Sequence, residues 1–476
     1  MQKLKLTELL LSFTPIELKR IGDFVRSPFY NKSRKLISLY DLIRKSFDNT
    51  TFHLISREFI WQNLFPGEKF SDVKLRSYLS EFKKLCEKFI ITLESEKNTV
   101  HQKNILLLYF TERNAKKNTD AASADLSNSL NNEFTKSFDH YNEKILFERT
   151  MILNEGRNVE KNLDSNYYRL SDAIDRFFIS SKLELMNSFL SRKYHVLGSF
   201  KLQTEFSGEI IQYIEKYLPA IKKNDPFIYC EYLIFKMMTA ENNDVYFKDL
   251  YDFALKNIKK YRHTELEQVY FPMINFGFNK VAMGETEYLN RIFEIYRTFE
   301  LRGFYSEMEV FQDIDFISIV IAGLRLNKVS WTEIFAGKYS RKLTGEFSSD
   351  TVSLVKALIS FNKREFTESI EHLSRVNYQN SYYYLKSKET LLQIYYEQNE
   401  YEAMQSLIDS TRHYLKRRKD VLSIHYGRYL MFLKYLGILL KAKQTDRSSK
   451  VTLKKELKNN NNVIAREWLI EKVYSL

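Results

Sequence analysis

Three similar phrases recur at equal intervals in the second half of this chain. LRLNKVSWTEIF, ISFNKREFTESI and IYYEQNEYEAMQ place Trp331, Phe366 and Tyr401 35 residues apart. A self-similar period of that size marks stacked helical hairpins. In each unit a first helix carries an apolar stripe, such as Leu324 and Leu326, Ile359 and Phe361, or Ile394 and Tyr396. A short polar turn follows: Asn327-Lys328, Asn362-Lys363-Arg364 or Gln398-Asn399. The aromatic residue then opens the second helix, where it is expected to wedge between the two. Ile334 and Phe335, Ile370 and Leu373, and Leu407 and Ile408 continue that helix at helical spacing. One hairpin cannot bury both of its faces, so it needs neighbours on each side. Weaker copies surround Tyr246 and Tyr288, where the spacing is 42 or 43 residues.

The phrase YYEQNEYEAMQSLI resembles the turn of a tetratricopeptide repeat, best over about residues 315–415. The resemblance implies a concave groove for a peptide, lined here by residues around Tyr382 to Tyr384 and Tyr395. The small residue expected three positions after the aromatic is Ile334, Ser369 or Met404, and Asn399 replaces the turn glycine. Both departures predict helices packed less closely than in an ideal repeat. No polar clamp residue of peptide-binding members maps onto this sequence.

Composition agrees with long helices. Only 13 Gly and 6 Pro punctuate 476 residues, and no Pro follows Pro272. Sandwiches and barrels need more turns than that. The fold class expected is all-α: a tetratricopeptide-like solenoid of helical hairpins with a small N-terminal helical domain. The expected domains are an N-terminal basic helical domain (1–104), a long-helix segment with a polar insert at 114–132 (105–225), the helical repeats (226–440), and a polar linker with a C-terminal capping helix (441–476).

The net charge of +13 is uneven. Through Asn104 there are 19 Lys+Arg against 12 Asp+Glu, a balance of +7 in about a fifth of the chain. Within that domain Thr14-Pro15-Ile16-Glu17 spells a capping box with Pro at the first helical position. Asn31, Ser56 and Ser71 are candidate caps of the next three helices. SREFIWQNLFPGEKFSDVKLRSYLSEFKKLCEKFI is similar to the helix–loop–helix core of winged-helix, response-regulator-type DNA-binding domains. By that resemblance Lys74, Arg76, Lys83, Lys84 and Lys88 would contact nucleic acid, with salt-dependent affinity. A wing requires two short strands within Ile91–Asn104, where the sequence offers a faint hairpin. The plainer reading is a solvated basic helix face stabilised by pairs such as Glu81 and Lys84.

The insert 114–132 has almost no large apolar residue and reads as a loop or a helix end projecting into solvent. The basic groups Lys256, Lys259, Lys260 and Arg262, and Lys416, Arg417, Arg418 and Lys419, sit where helices should end and complement the helix dipole. VIAREWLIEKV is a last amphipathic helix that would cap the stack. Cys86 and Cys230 lie in apolar helical patterns and read as reduced, buried thiols. No signal peptide, membrane-length apolar run, phosphate-binding glycine loop, zinc-spaced His/Cys set or nucleophile elbow is written in the sequence. The expectation is a non-enzymatic cytoplasmic scaffold that binds a protein or peptide, without cofactor, metal or membrane contact. The alternative is a transcription regulator whose N-terminal domain binds DNA and whose repeats act as a sensor.

Overall fold

The computed structural model of the chain describes residues 5–48, 56–155, 163–195, 205–261, 263–308, 310–377, 380–417, 423–444, 447–460 and 463–476. The chain is all-α. Beside its α-helices the described residues form short 3-10 turns and one isolated bridge, Phe311 to Leu343. No helix among them is long and apolar enough to cross a membrane. Compactness divides the chain into two units, Met1–Glu133 with Phe138–Phe177, and Phe134–Ser137 with Phe178–Leu476.

The first unit holds α1 (Lys5–Leu11), α2 (Pro15–Arg26), α3 (Arg34–Asp48), α4 (Arg57–Leu64), α5 (Asp72–Lys97), α6 (Thr99–Glu112), α7 (Lys116–Asn132) and α8 (Phe138–Glu155). A ninth helix, α9 (Leu163–His195), starts here and ends in the second unit. Helices α1 to α5 share a core that includes Leu10, Ile21, Trp61, Phe82 and Phe89. Local chemistry sets their starts. Thr14 Oγ1 accepts from the Glu17 amide at 3.2 Å, and the Thr14 amide donates back to Glu17 Oε2 at 2.8 Å. Ser56 and Ser71 cap α4 and α5. Asn31 does not cap α3, which begins at Arg34. It is buried instead, and its Nδ2 donates to the Val25 carbonyl at 2.9 Å, so it ties the end of α2 to the following turn.

Two expectations for this unit are corrected. The insert 114–132 is neither a loop nor a projecting helix end, because its residues 116–132 form helix α7, packed along one face. Thr119, Ala122, Leu126 and Leu130 fall on one face, and the two leucines join Leu107 in a small core with Phe147 and Met151. Alanines at 121, 122 and 124 favour the helix where apolar residues are sparse. The segment Ile91–Asn104 is also helical. The stripe of α5 continues to Leu93, and Asn98 ends α5 while its side chain caps α6 by accepting from the His101 amide at 2.9 Å.

The second unit continues with α10 (Ser207–Lys216), α11 (Leu218–Asn224), α12 (Pro226–Thr239), α13 (Asn243–Asn257), α14 (His263–Ala282), α15 (Glu287–Leu301), α16 (Phe304–Glu307), α17 (Asp313–Arg325) and α18 (Val329–Tyr339). It ends with α19 (Ser348–Asn362), α20 (Phe366–Ser374), α21 (Ser381–Glu397), α22 (Tyr401–Arg417), α23 (Ser423–Gln444), α24 (Arg447–Asn459) and α25 (Arg466–Ser475). Helices α12 and α13, α14 and α15, α17 and α18, α19 and α20, and α21 and α22 pack as pairs. The second helix of each pair also touches the next first helix: α13 with α14, α15 with α17, α18 with α19, α20 with α21, and α22 with α23. Lys256 lies in the last turn of α13, and Lys416 and Arg417 in that of α22. Arg262, Arg418 and Lys419 lie outside the described residues.

One turn recurs. The amides of Lys328, Glu365 and Glu400 reach back five residues to the carbonyls of Gly323, Ser360 and Tyr395 at 2.8, 2.9 and 2.8 Å. The residue before each, Asn327, Arg364 or Asn399, is left-handed, with φ of 56, 65 and 60°. This is the Schellman closure of a helix end. Gly284, between α14 and α15, and Asn114, between α6 and α7, make the same closure.

Measured between turns, the units are 37 and then 35 residues long, from Asn327 to Arg364 to Asn399. Val329, not Trp331, therefore occupies the position of Phe366 and Tyr401. Three residues further on come Thr332, Ser369 and Met404, all fully buried. The first two are small. Ser369 Oγ donates to the Ala357 carbonyl across its hairpin at 2.8 Å, and a Cβ on Gly323 would stand 2.2 Å from Thr332 Oγ1. In these two hairpins the helices approach closely, contrary to the looser packing expected from Ile334, which is exposed.

Candidate ligand cleft

Helix α21 is buried on most sides, yet it carries a polar stripe at helical spacing: Tyr382, Lys386, Glu389 and Gln393. These four face a cavity of about 750 Å3. Matching faces of other helices complete it: Ser318, Ile321 and Arg325 of α17, Leu358 and Phe361 of α19, and Arg428 and Tyr429 of α23. Phe278 and Asn279 of α14 also line it. Residues 463–468 and Glu471 form the remaining wall.

That wall is clasped in place. Arg325 donates through Nε and Nη2 to the two carboxylate oxygens of Glu467, at 3.2 and 2.6 Å. Lys472 pairs with Glu397 at 2.6 Å, and Trp468 Nε1 donates to the same Glu397 at 3.0 Å. The Trp468 ring meets Tyr396 edge-on at 5.3 Å. Leu469 and Val473 are buried in a core shared with α21 to α24. The last helix thus packs on α23 and α24 and reaches the C-terminal ends of α17 and α21, so it does more than cover the end of the stack.

Inside the cleft, Glu389 is the hub. Lys386 Nζ donates to Oε1 at 2.7 Å and Tyr429 OH to Oε2 at 3.2 Å. Burial and the Glu389 charge hold the Tyr429 phenol well above its ordinary range. Burial raises the Tyr382 phenol too. It lowers the Arg428 guanidinium, against the pull of Glu389. Lys386, Glu389 and Tyr429 are fixed in mutual bonds, an arrangement suited to recognition. Among the described residues no set of three or more metal-ligating side chains converges.

The residues singled out from sequence fall elsewhere. Trp331 is half-buried and braces α15: its Nε1 donates to Glu300 at 2.9 Å and its ring meets Phe293 at 4.8 Å. Phe366 is half-buried beside Phe361, and Tyr401 donates to Asn399 in its own turn at 2.5 Å. The tyrosines expected to line one groove separate. Tyr382 faces the cleft, Tyr383 is buried with its hydroxyl 2.5 Å from that of Thr351, and Tyr384 stacks on Tyr414 at 3.8 Å. Tyr395 packs against the core of the last helices.

In the first unit, Lys74 pairs with Glu68 at 2.7 Å and lies over the Phe65 ring, Arg76 pairs with Asp72 at 2.6 Å, and Lys83 pairs with Glu87. Lys84 and Lys88 are exposed on the same helix. The strand pair of a wing is replaced by the α5–α6 junction. The sequence reading missed Arg428, Glu389 and the clasp. Of these only Glu389 left a trace, as part of a polar stripe with Lys386 and Gln393 on a helix otherwise rich in apolar and aromatic residues.

No model of a known protein family matches the chain, and no curated protein or solved structure matches it.

Proposed function

We propose that the chain is a non-enzymatic scaffold, a tetratricopeptide-like stack of helical hairpins that holds a protein or peptide partner. The observation that carries this reading is the repeated hairpin: one Schellman turn used again and again, with each second helix packed on the next first helix. Such a stack gains stability between neighbours and offers one long face to a partner. The mutual bonding of Lys386, Glu389 and Tyr429 in the cleft supports recognition over turnover. Two buried free thiols, Cys86 and Cys230, support a reducing compartment such as the cytoplasm.

The test is capture by the intact protein from its own cell lysate, with and without nuclease, followed by reconstitution with the recovered partner. A defined protein that survives nuclease and re-forms a complex of fixed stoichiometry is the expected result. Material that vanishes with nuclease would move the reading to nucleic acid and to Lys84 and Lys88. No stoichiometric partner at all would reject the scaffold.

A further inference from the structure

The cleft contains one cationic side chain that its own walls leave without a hydrogen-bonded partner. Four cationic side chains line it, Arg325, Lys386, Arg428 and Arg466, against three anionic ones, Glu389, Glu467 and Glu471. Arg325 is held by Glu467 and Lys386 by Glu389, Glu471 is taken by Lys472 at 2.7 Å, and Arg466 donates to the Leu457 carbonyl at 2.8 Å. Arg428 is the remainder. It is half-buried on α23, and its Nε is shut off from water with no hydrogen-bond partner. Glu389, the carboxylate that acts on it most, is already shared between Lys386 and Tyr429. Burial and the nearby Arg325 both disfavour its charge, so an incoming anion would relieve both.

A guanidinium in that state favours a planar, bidentate anion. One cation without a partner calls for a single negative charge. A phosphate dianion would overcompensate it and meet three carboxylates. Beside the uncharged polar groups of Asn279, Thr286, Ser318, Asn362 and Gln393, the lining carries apolar and aromatic side chains, including Phe278, Ile321, Leu358, Phe361 and Trp468. The volume, about 750 Å3, lies in the range of small-molecule sites. The wall built by residues 463–468 limits how far a guest extends.

We propose that this cleft binds a small organic monocarboxylate with an apolar or aromatic body, its carboxylate received by Arg428 and its body by the ring-lined walls.

The test is calorimetric titration of the full chain with octanoate, 4-phenylbutyrate and indole-3-butyrate, each against its own primary amide. At least one acid should bind at one per chain, and its amide roughly tenfold to a hundredfold more weakly, the worth of a charge-assisted bidentate contact. Arg428→Met should weaken the acid by a similar factor and leave the amide unchanged, while Arg428→Lys should fall between. Thermal unfolding checks that both variants fold; should Arg428→Met fail to, the acid–amide comparison in the unaltered chain and Arg428→Lys decide. Failure of all three acids at millimolar concentration, equal binding of acid and amide, or an unchanged affinity in Arg428→Met would each overturn the proposal. An acetylated hexapeptide amide with one Glu among leucines is the last arm. If it binds where the small acids do not, the cleft belongs to a peptide and this inference falls while the scaffold stands.

Discussion

Glu231→Gln should stabilise the protein at alkaline pH and leave it nearly unchanged in acid. Glu231 sits on α12 at 4% exposure. Asn187 Nδ2 donates to its Oε2 at 2.6 Å and to its backbone carbonyl at 2.9 Å. Burial pushes the carboxyl from 4.5 up to about 7, with Glu184 adding to the rise and the Asn187 bond opposing it. A carboxyl whose pKa is raised by folding stabilises the fold in its protonated form. That contribution is complete below pH 4.5, falls as pH rises, and is gone above about pH 7. Each pH unit of that gap is about 1.4 kcal/mol. Ionised Glu231 therefore costs roughly 3 kcal/mol at pH 8 and under about 1 kcal/mol at pH 5. Glutamine keeps the shape and an acceptor for Asn187 but does not titrate. The assay is urea denaturation of both proteins at pH 5 and pH 8, followed by far-ultraviolet circular dichroism. Taking the difference between the proteins cancels every other titrating group. The advantage of the Gln variant should grow by about 2–3 kcal/mol between the two pH values. A difference flat with pH would refute the reasoning, and one that shrinks with pH would mean that the fold favours the anion.

Other substitutions probe the hairpins. Phe335 is fully buried among Tyr305, Phe311, Phe316 and Tyr339, so Phe335→Ala should cost about 3–5 kcal/mol in denaturant titration, while half-buried Phe366→Ala and Tyr401→Ala should each cost under about 2 kcal/mol. Arg364 holds φ of 65° on the surface, so Arg364→Gly should raise stability by about 0.5–1 kcal/mol, and a loss there would dispute the turn. Gly323→Ala drives a methyl into Thr332 Oγ1, which is anchored to the Lys328 carbonyl at 2.9 Å, and should destabilise by about 1–3 kcal/mol. Adding Thr332→Ala should recover part of that loss, as a double-mutant cycle would show.

What the sequence revealed follows the range of each interaction. Caps act over three residues, so Thr14 with Glu17, Ser56 and Ser71 were legible. Helix type was legible wherever the stripe was dense. It failed at 114–132 because two leucines are too few to announce a face. They suffice in the fold because α6 and α8 supply Leu107, Phe147 and Met151 to meet them. The repeat was legible as a period and misread in register. Trp331 shares its aromatic type with Phe366 and Tyr401, but what closes each hairpin is a backbone conformation. Asn supplies it twice and Arg once, and only Asn announces it.

The cleft was the least legible part, and the reason is physical. Its charges are ordinary surface types, and a sequence does not say which of them have partners. Arg325 lies 142 residues from Glu467 and Trp468 lies 71 from Glu397, so the clasp exists only once the hairpins have stacked. Arg428 stands in a run, GRYLMFLKYL, that reads as one more helix with a cationic edge. Stacking turns that edge inward, and Glu389, the nearest compensation, has already been taken by Lys386 and Tyr429. Leaving a guanidinium half-desolvated is a cost that a purely structural helix would avoid by placing Leu or Met there. A ligand that returns the missing negative charge offsets that cost, which is why Arg428, and not the better-bonded Arg325 or Lys386, is the residue on which the binding test turns.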